Sequence, residues 1–259
     1  MACQRAHRRA YRRAHRRADR RGIQTADCRF ADVVSCDRVR SVIHVPLLKR
    51  VVDGKRVEAA FQWNLLPQDL KRSEGQWQES RQTVRRSLTN LAEPANARPE
   101  SLDWDWSTIP TTVEQDNPAE TMFCGLFVED ECEGLIAMTI GTDHGFSQLE
   151  LKDENRHKLV FVEFLETAPW NWKGYANAPL PRYRGVGPQL LRLAIEWSVL
   201  KSFEGRVALE SLVQAEEFYE ETCRMNRIGT PDLLVDSSVA SYTRFEWTLA
   251  GAKKFLAGK

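Results

Sequence analysis

The sequence predicts a mixed α/β fold, in which a central sheet is flanked by helices. In the second half of the chain, strand-like and helix-like segments alternate, as they do where crossover helices join the strands of a sheet. The 259 residues are 42% hydrophobic and 28% charged, which is an ordinary composition for a globular protein with a sizeable core. Apolar runs such as Leu135–Met138 are far shorter than the ~18 residues that cross a bilayer.

The first half of the chain predicts a short hairpin and one long helix. The hairpin is expected around a turn at residues 51–54, with its second strand over Val57–Phe61. The helix is expected over Leu70–Leu91, since its apolar residues recur at helical spacing. This apolar stripe consists of Trp77, Val84 and Leu88.

The second half predicts the main strands of the sheet. Met122–Val128 and Gly134–Ile140 are expected to form a hairpin across an acidic turn at residues 129–133. Leu159–Thr167 is rich in β-branched and aromatic residues, which favours a strand. An irregular loop over 168–181 follows. The elements expected after it are helix Pro188–Phe203, strand Arg206–Leu212, helix Gln214–Arg224, strand Val239–Trp247 and helix Leu249–Ala257.

Charge is distributed unevenly along the chain. Residues 1–21 hold nine arginines and one aspartate, largely as repeated Arg-Arg-Ala units, while the whole chain has a net charge of +1. The remainder is therefore acidic, which argues against a nucleic-acid-binding body. We expect residues 1–45 to be an Arg-rich, disordered extension and residues 46–259 to be one domain, best supported over 120–259. The extension is interpreted as a solvated, low-complexity segment; an arm for nucleic acid or an acidic partner, and a targeting segment, are alternatives.

The cysteines and the N-terminus bear on metal binding and location. Six cysteines form no C-x-x-C pair, and none has a histidine at ligand spacing, so no metal site is expected. Reduced thiols and the lack of an apolar signal region indicate a cytoplasmic protein. No membrane partner is expected, and a homodimer is compatible with the sequence.

The most informative segment is Arg182–Gly187, which reads RYRGVG and precedes a predicted helix. Glycines at this spacing let the backbone approach a ligand and expose its N–H groups. The start of the helix adds a partial positive charge, and Arg182 and Arg184 add full ones, so the segment suits a phosphate or pyrophosphate. It matches neither G-x-G-x-x-G nor the G-K-[ST] of a P-loop.

The order of strand 159–167, R-x-x-G-x-G, amphipathic helix, strand 206–212 and a helix carrying Phe218-Tyr219 resembles the GNAT superfamily of acetyl-CoA-dependent N-acyltransferases. The signature of that superfamily, [Q/R]-x-x-G-x-[G/A], opens a helix after the central strand. The resemblance covers residues 75–259 and is specific over 159–225. It implies a GNAT-like fold with a splayed central sheet, acetyl-CoA as the acyl donor, and direct transfer of the acetyl group to a primary amine in a ternary complex.

The resemblance also implies which residues bind the donor. The pyrophosphate of acetyl-CoA would be held by the backbone of Arg182, Tyr183, Arg184, Gly185, Val186 and Gly187. The pantetheine arm would run beside Leu165, Glu166 and Thr167. Pro188 departs from the family pattern, because it lacks the N–H that the next residue would offer.

Acyl transfer needs a group that protonates the leaving thiolate and a group that deprotonates the amine. The resemblance places Tyr219 as the general acid; Tyr219 also fits the apolar stripe of its helix, and a tyrosine can serve both purposes. Glu163 is favoured as the base and Glu166 is second. Because they are three residues apart, they are expected on opposite faces of the sheet, with Glu163 sharing a face with Phe161 and Leu165. An ion pair with an arginine is the alternative for each, and a water chain can replace a direct base.

Two other functions stay open at this point. One is a non-catalytic acyl-CoA-binding protein with a GNAT fold, and the other is a nucleic-acid-associated protein anchored by the arginine-rich arm. Cys223 is disfavoured as a nucleophile, because no histidine lies near it in the sequence. The acceptor amine is not defined by the sequence. Two roles are equally compatible with the aromatic residues Trp170, Trp172 and Tyr175. They line an acceptor pocket, or they cover the edge of the sheet.

Overall fold

A computed structural model of the protein describes residues 45–89, 99–116, 120–142, 144–152, 155–172, 180–228 and 242–258. All elements below lie in one compact unit, formed by residues 46–233 and 241–259. The predicted arginine-rich extension, Tyr175 and the first residues of the predicted strand 239–247 lie outside the described residues.

Twelve strands and four longer helices are seen in the described part of the chain. The strands are β1 Leu47–Arg50, β2 Arg56–Glu58, β3 Ala60–Gln62, β4 Glu120–Val128, β5 Glu131–Ile140, β6 Phe146–Lys152, β7 Asn155–Lys158, β8 Val160–Thr167, β9 Tyr183–Arg184, β10 Val207–Ser211, β11 Asn226–Ile228 and β12 Thr243–Trp247. The helices are α1 Pro67–Thr89, α2 Ile109–Asp116, α3 Val186–Leu200 and α4 Leu249–Leu256.

Seven strands form the central sheet, in the order β11-β12-β10-β8-β5-β4-β3. β8 and β10 pair in parallel, and the other neighbouring strands of this sheet pair antiparallel. A parallel pair needs a crossover connection, and α3 supplies it between β8 and β10. The predicted mixed α/β fold, with helices flanking a central sheet, is therefore confirmed.

Each face of the sheet carries its own apolar cluster. On the face that we call the α3 face, Leu190 and Leu193 of α3 pack with Val160 and Val162 of β8. On the opposite face, the α1 face, Leu70 and Trp77 of α1 pack with other apolar side chains. The partners of α1 include Trp106, Leu135 and Ala137. The indole Nε1 of Trp77 also donates to the carbonyl oxygen of Cys132 at 2.8 Å, which ties α1 to β5.

A second, three-stranded sheet has the order β2-β1-β9. It contains the predicted hairpin, since β1 and β2 pair antiparallel around the turn at residues 51–53. β1 also pairs with β9, with Lys49 opposite Arg184 and Arg50 opposite Tyr183. Because β9 belongs to the predicted phosphate-binding segment, the hairpin gives that segment a strand partner.

Some elements differ from the sequence-based expectations. Glu131 and the residues after it belong to β5, so the acidic turn shrinks to Glu129–Asp130. The helix expected over 214–224 is present over 213–222 but is irregular, with a 3-10 turn at Val213–Ala215, α-helical residues 216–217 and a π-helical turn at Phe218–Thr222. The β6–β7 hairpin and β11 were not expected. All three are short elements, whose pairing partners and packing decide their conformation.

Candidate functional site

The site lies where the two parallel strands separate. β8 and β10 pair from Val160 opposite Val207 to Val162 opposite Leu209. Beyond Val162 and Leu209 the pairing ends, although β8 continues to Thr167 and β10 to Ser211. The ends of the two strands therefore splay apart and leave a gap in the middle of the sheet.

A β-bulge at Glu163 changes the faces that were expected for the side chains of β8. Met138 of β5 pairs with Val162 and Ala137 with Phe164, so Glu163 is the extra residue. The Oγ1 of Thr139 donates to Glu163 Oε1 at 2.8 Å, and Thr139 lies on the α1 face with Ala137.

Glu166 also lies on the α1 face, in contact with Arg81 of α1. The expectation that Glu163 and Glu166 face opposite sides of the sheet is therefore wrong. Leu165 packs against the cluster of the α3 face, so it does not share a face with Glu163 either. A bulge inserts one residue and reverses the alternation that follows it.

A cavity of about 540 Å³ occupies the gap and is lined by residues from both faces of the sheet. Arg182 is the one predicted site residue that does not line it; its Nη1 contacts Glu131 Oε2 at 3.0 Å, and its guanidinium lies 4.5 Å from the ring centroid of Trp170. The predicted site residues that do line the cavity are Glu163, Leu165, Glu166, Thr167, Tyr183, Arg184, Gly185, Val186, Gly187 and Tyr219.

The glycine segment forms the N-terminus of α3. The helix begins at Val186, two residues before the expected start at Pro188, with Gly185 as its N-cap. Gly185 has φ +95°, a left-handed conformation that favours glycine. A Cβ at Gly187 would lie 2.9 Å from the ring of Phe218, so this glycine permits close packing against the π-helical turn. The N–H groups of the first helical turn have no hydrogen-bond partner within the helix. The residues at this end of the helix, Val186 and Gly187, line the cavity.

A buried network supports this segment from behind. The side chain of Asn171 accepts a hydrogen bond from the backbone N–H of Tyr183 at 2.9 Å and donates to Glu133 Oε2 at 2.7 Å. The indole of Trp170 donates to the same carboxylate oxygen at 2.8 Å. Burial raises the pKa of Glu133, opposed by these two hydrogen bonds. Neither Glu133 nor Asn171 was singled out from the sequence, because their contacts join segments that are 38 residues apart.

If the glycine segment binds acetyl-CoA, as the family resemblance implies, replacing Asn171 with alanine is expected to weaken this binding about tenfold, because the Tyr183 N–H and the Glu133 carboxylate lose their partner. Titration calorimetry of the parent and the variant measures this change. Asn226→Ala is the matched control, since Asn226 is exposed on β11 and its Nδ2 donates to the carbonyl oxygen of Glu246. Equal affinities in all three proteins would mean that the network does not position the segment.

Glu166 is held in a buried ion-pair network. Arg81 Nη2 lies 2.9 Å from Glu166 Oε2, and Arg81 Nε lies 3.0 Å from Glu74 Oε1. The indole of Trp106 donates to Glu166 Oε2 at 2.7 Å. Burial raises the pKa of both Glu74 and Glu166, and Arg81 opposes the rise. These contacts correspond to the arginine ion pair that was the alternative to a catalytic role for Glu166.

Tyr219 lies in the π-helical turn Phe218–Thr222 and lines the cavity. Its ring packs edge-on against Phe218, with centroids 5.1 Å apart, and lies 5.7 Å from the ring of Phe245. Burial raises the pKa of Tyr219, which keeps the phenol protonated at neutral pH. A π-helical turn often marks a functional position, because it redirects one side chain.

Cys223 closes the same turn. Its thiol is buried, and burial raises its pKa to about 12. A thiol with this pKa is protonated at neutral pH and is a poor nucleophile. The sequence-based argument against a nucleophilic Cys223 therefore gains a physical reason.

No group of three or more His, Cys, Asp or Glu side chains in the part of the chain that the structure describes has an arrangement that could hold a metal ion. None of the helices in the described ranges combines the length and apolarity needed to cross a membrane.

Comparison with known proteins adds structural relatives only. No family model and no curated protein sequence matches the chain. Among solved structures, the aminoglycoside acetyltransferase AAC(6')-Ib in complex with coenzyme A is 14% identical, with a TM-score of 0.43, over 76% of this chain and 98% of that one. An acetyltransferase of the GNAT family from Streptococcus pneumoniae is 13% identical, with a TM-score of 0.37, over 73% of this chain and 99% of that one.

The PaiA N-acetyltransferase from Thermoplasma acidophilum, also in complex with coenzyme A, is 12% identical, with a TM-score of 0.39, over 73% of this chain and 99% of that one. These three structures are described as acetyltransferases, and the one from Streptococcus pneumoniae is described as a member of the GNAT family.

Proposed function

We propose that this protein is a GNAT-type N-acetyltransferase, which moves the acetyl group of acetyl-CoA directly to a primary amine. The observation that carries the proposal is the gap between β8 and β10. It places the N-terminus of α3 on one face of the sheet and Glu163 on the other, around one cavity. A donor that carries a pyrophosphate and an acceptor that carries an amine can therefore meet inside the sheet.

The donor would occupy the side of the cavity near α3. The N–H groups of Gly185, Val186 and Gly187 suit a pyrophosphate, and Arg184 adds a positive charge at the cavity wall. The pantetheine arm would extend beside Leu165 and Thr167, where β8 no longer pairs with β10.

The reaction needs a proton removed from the acceptor and a proton given to the donor. We assign Glu163 to accept one proton from the ammonium form of the acceptor. The free amine then attacks the thioester carbon, a C–N bond forms and the C–S bond breaks. Tyr219 protonates the leaving thiolate and regains a proton from the acylated nitrogen, so the net change is the release of one proton from Glu163 to solvent.

Calorimetric titration with acetyl-CoA tests the donor site. We expect the parent protein to bind and the variant Gly185→Glu/Gly187→Glu to lose binding, because two carboxylates would stand where the pyrophosphate lies. Arg184→Gln leaves the backbone unchanged and is expected to weaken binding without abolishing it. Gly75→Glu is the control, since Gly75 lies in α1 with open space around it.

If a folded parent protein does not bind acetyl-CoA, the acetyltransferase proposal is wrong. If it binds, screening of amine acceptors by release of the free thiol follows.

A non-catalytic acyl-CoA-binding protein is the second candidate, and Pro188 favours it. Pro188 is the third residue of α3 and lines the cavity, where it removes one N–H from the pyrophosphate side. Binding of acetyl-CoA without turnover of any amine would support this candidate. Association with nucleic acid through residues 1–21 is separate, and its test is a steep salt dependence that disappears when these residues are deleted.

A further inference from the structure

A carboxylate that the sequence analysis did not single out lines the cavity. Glu210 is the first residue of β10 beyond the last pair with β8, opposite the position of Glu163. Its neighbour Ala208 packs with Leu159 and Phe161 on the α1 face, so alternation along the strand places Glu210 on that face too. Glu163 and Glu210 therefore flank the gap on the side away from α3, where Glu166, paired with Arg81, also lines the cavity.

The groups around Glu210 leave it available to a ligand. It makes no hydrogen bond or ion pair with any of the residues that the structure describes. Arg244 is its register partner on β12, but the Nη2 of Arg244 donates to the carbonyl oxygens of His144 and Phe146 at 3.2 and 3.1 Å. The other titratable groups that line the cavity are Glu163, Glu166, Tyr183, Arg184 and Tyr219. Of these, Glu166 is already paired with Arg81. Burial raises the pKa of Glu210, and the charge of Arg244 opposes the rise.

The lining on the α1 face includes two aromatic rings, one of which, Trp172, already has the guanidinium of Arg81 5.5 Å from its centroid. Trp104 and Trp172 line the cavity there, and Trp104 is fixed edge-on against Phe164, with ring centroids 5.0 Å apart. Among the described lining residues the one basic side chain is Arg184, and it belongs to the glycine segment. A partly desolvated carboxylate in a cavity that is also lined by aromatic rings is a favourable environment for an alkylammonium group.

We infer that the acceptor is an aliphatic amine with a second positive charge, and that Glu210 binds the charge that does not react. Glu163 then faces the reacting nitrogen across the gap. This inference rests on the proposed acetyltransferase function and names the chemical class of its acceptor. It assigns Glu210 a role in the selection of the substrate.

The test compares 1,4-diaminobutane with n-pentylamine, which has the same number of non-hydrogen atoms and a single positive charge. We expect the parent protein to acetylate both amines. Its KM for the diamine should be about tenfold lower than its KM for n-pentylamine. Glu210→Gln is expected to raise the KM for the diamine about tenfold and to leave kcat and the KM for n-pentylamine unchanged. Glu79→Gln removes an exposed carboxylate of α1 outside the cavity and is expected to behave as the parent.

Two results would overturn the inference: equal KM values for the two amines in the parent, or the same rise in both KM values in Glu210→Gln. If acetyl-CoA binds but neither amine is acetylated, the kinetic comparison gives no KM values. Calorimetric binding of the two amines to the coenzyme A-loaded protein then decides the inference. Preference for the diamine that is lost in Glu210→Gln supports it, and absence of that preference overturns it.

Discussion

Replacement of Tyr219 with phenylalanine is expected to lower kcat by about 10²–10⁴-fold, the usual contribution of a general acid. The substitution removes the phenolic hydroxyl and keeps the ring, which packs against Phe218 and Phe245. The leaving thiolate would then depart without a proton donor. Because the hydroxyl contributes little to ground-state binding in this scheme, the Kd for acetyl-CoA should not change. Steady-state kinetics with thiol detection and calorimetry measure the two quantities.

This experiment also separates the two candidate functions. An acetyltransferase loses turnover and keeps its donor affinity, whereas a non-catalytic acyl-CoA-binding protein has no turnover to lose. An unchanged kcat would show that the thiolate leaves without help from Tyr219. A fall in both kcat and donor affinity, together with a lower unfolding midpoint, would indicate that the hydroxyl has a structural role in the π-helical turn.

Replacement of Arg81 with methionine is expected to lower the free energy of unfolding by about 3–5 kcal/mol, as is typical when a buried ion pair loses one partner. The side chain of Arg81 is 0% exposed, and that of Glu166 is 1% exposed. Without the guanidinium, Glu74 and Glu166 would stay buried as uncompensated carboxylates. Urea unfolding followed by tryptophan fluorescence measures the loss. Arg86→Met is the control, since Arg86 is exposed on the same helix.

The loss should depend on pH with a definite sign. Burial already raises the pKa of Glu74 and Glu166, and removal of Arg81 removes the charge that opposes this rise. Carboxyl groups with a raised pKa cost stability as the pH rises through that pKa, so the destabilisation should be larger at pH 8 than at pH 5. The double variant Arg81→Met/Glu166→Gln should recover part of the loss. A pH-independent loss of less than about 1 kcal/mol would mean that the network does not behave as a buried ion pair.

The glycine segment and the main strands were predictable because their signals are local. A glycine with a positive φ and an N–H-rich helix start depend on neighbouring residues in the chain, and the sequence RYRGVG shows them directly. The alternation of strands and helices likewise follows from short-range hydrophobic patterns. By contrast, the turn around Tyr219 was expected as an α-helix, because five residues carry too little pattern to distinguish it from a π-helical turn.

The sequence by itself determined the mixed α/β class, the glycine segment before α3 and the family that the chain resembles. The tertiary structure alone decided where the carboxylates go. Because Glu163 is the extra residue of a β-bulge, its side chain and that of Glu166 lie on the same face of the sheet. A bulge has no signature in a single sequence. Arg81 meets Glu166 across 85 residues of chain, and Glu210 reaches the cavity because β10 parts from β8. Such contacts depend on how distant segments pack, which local patterns do not encode.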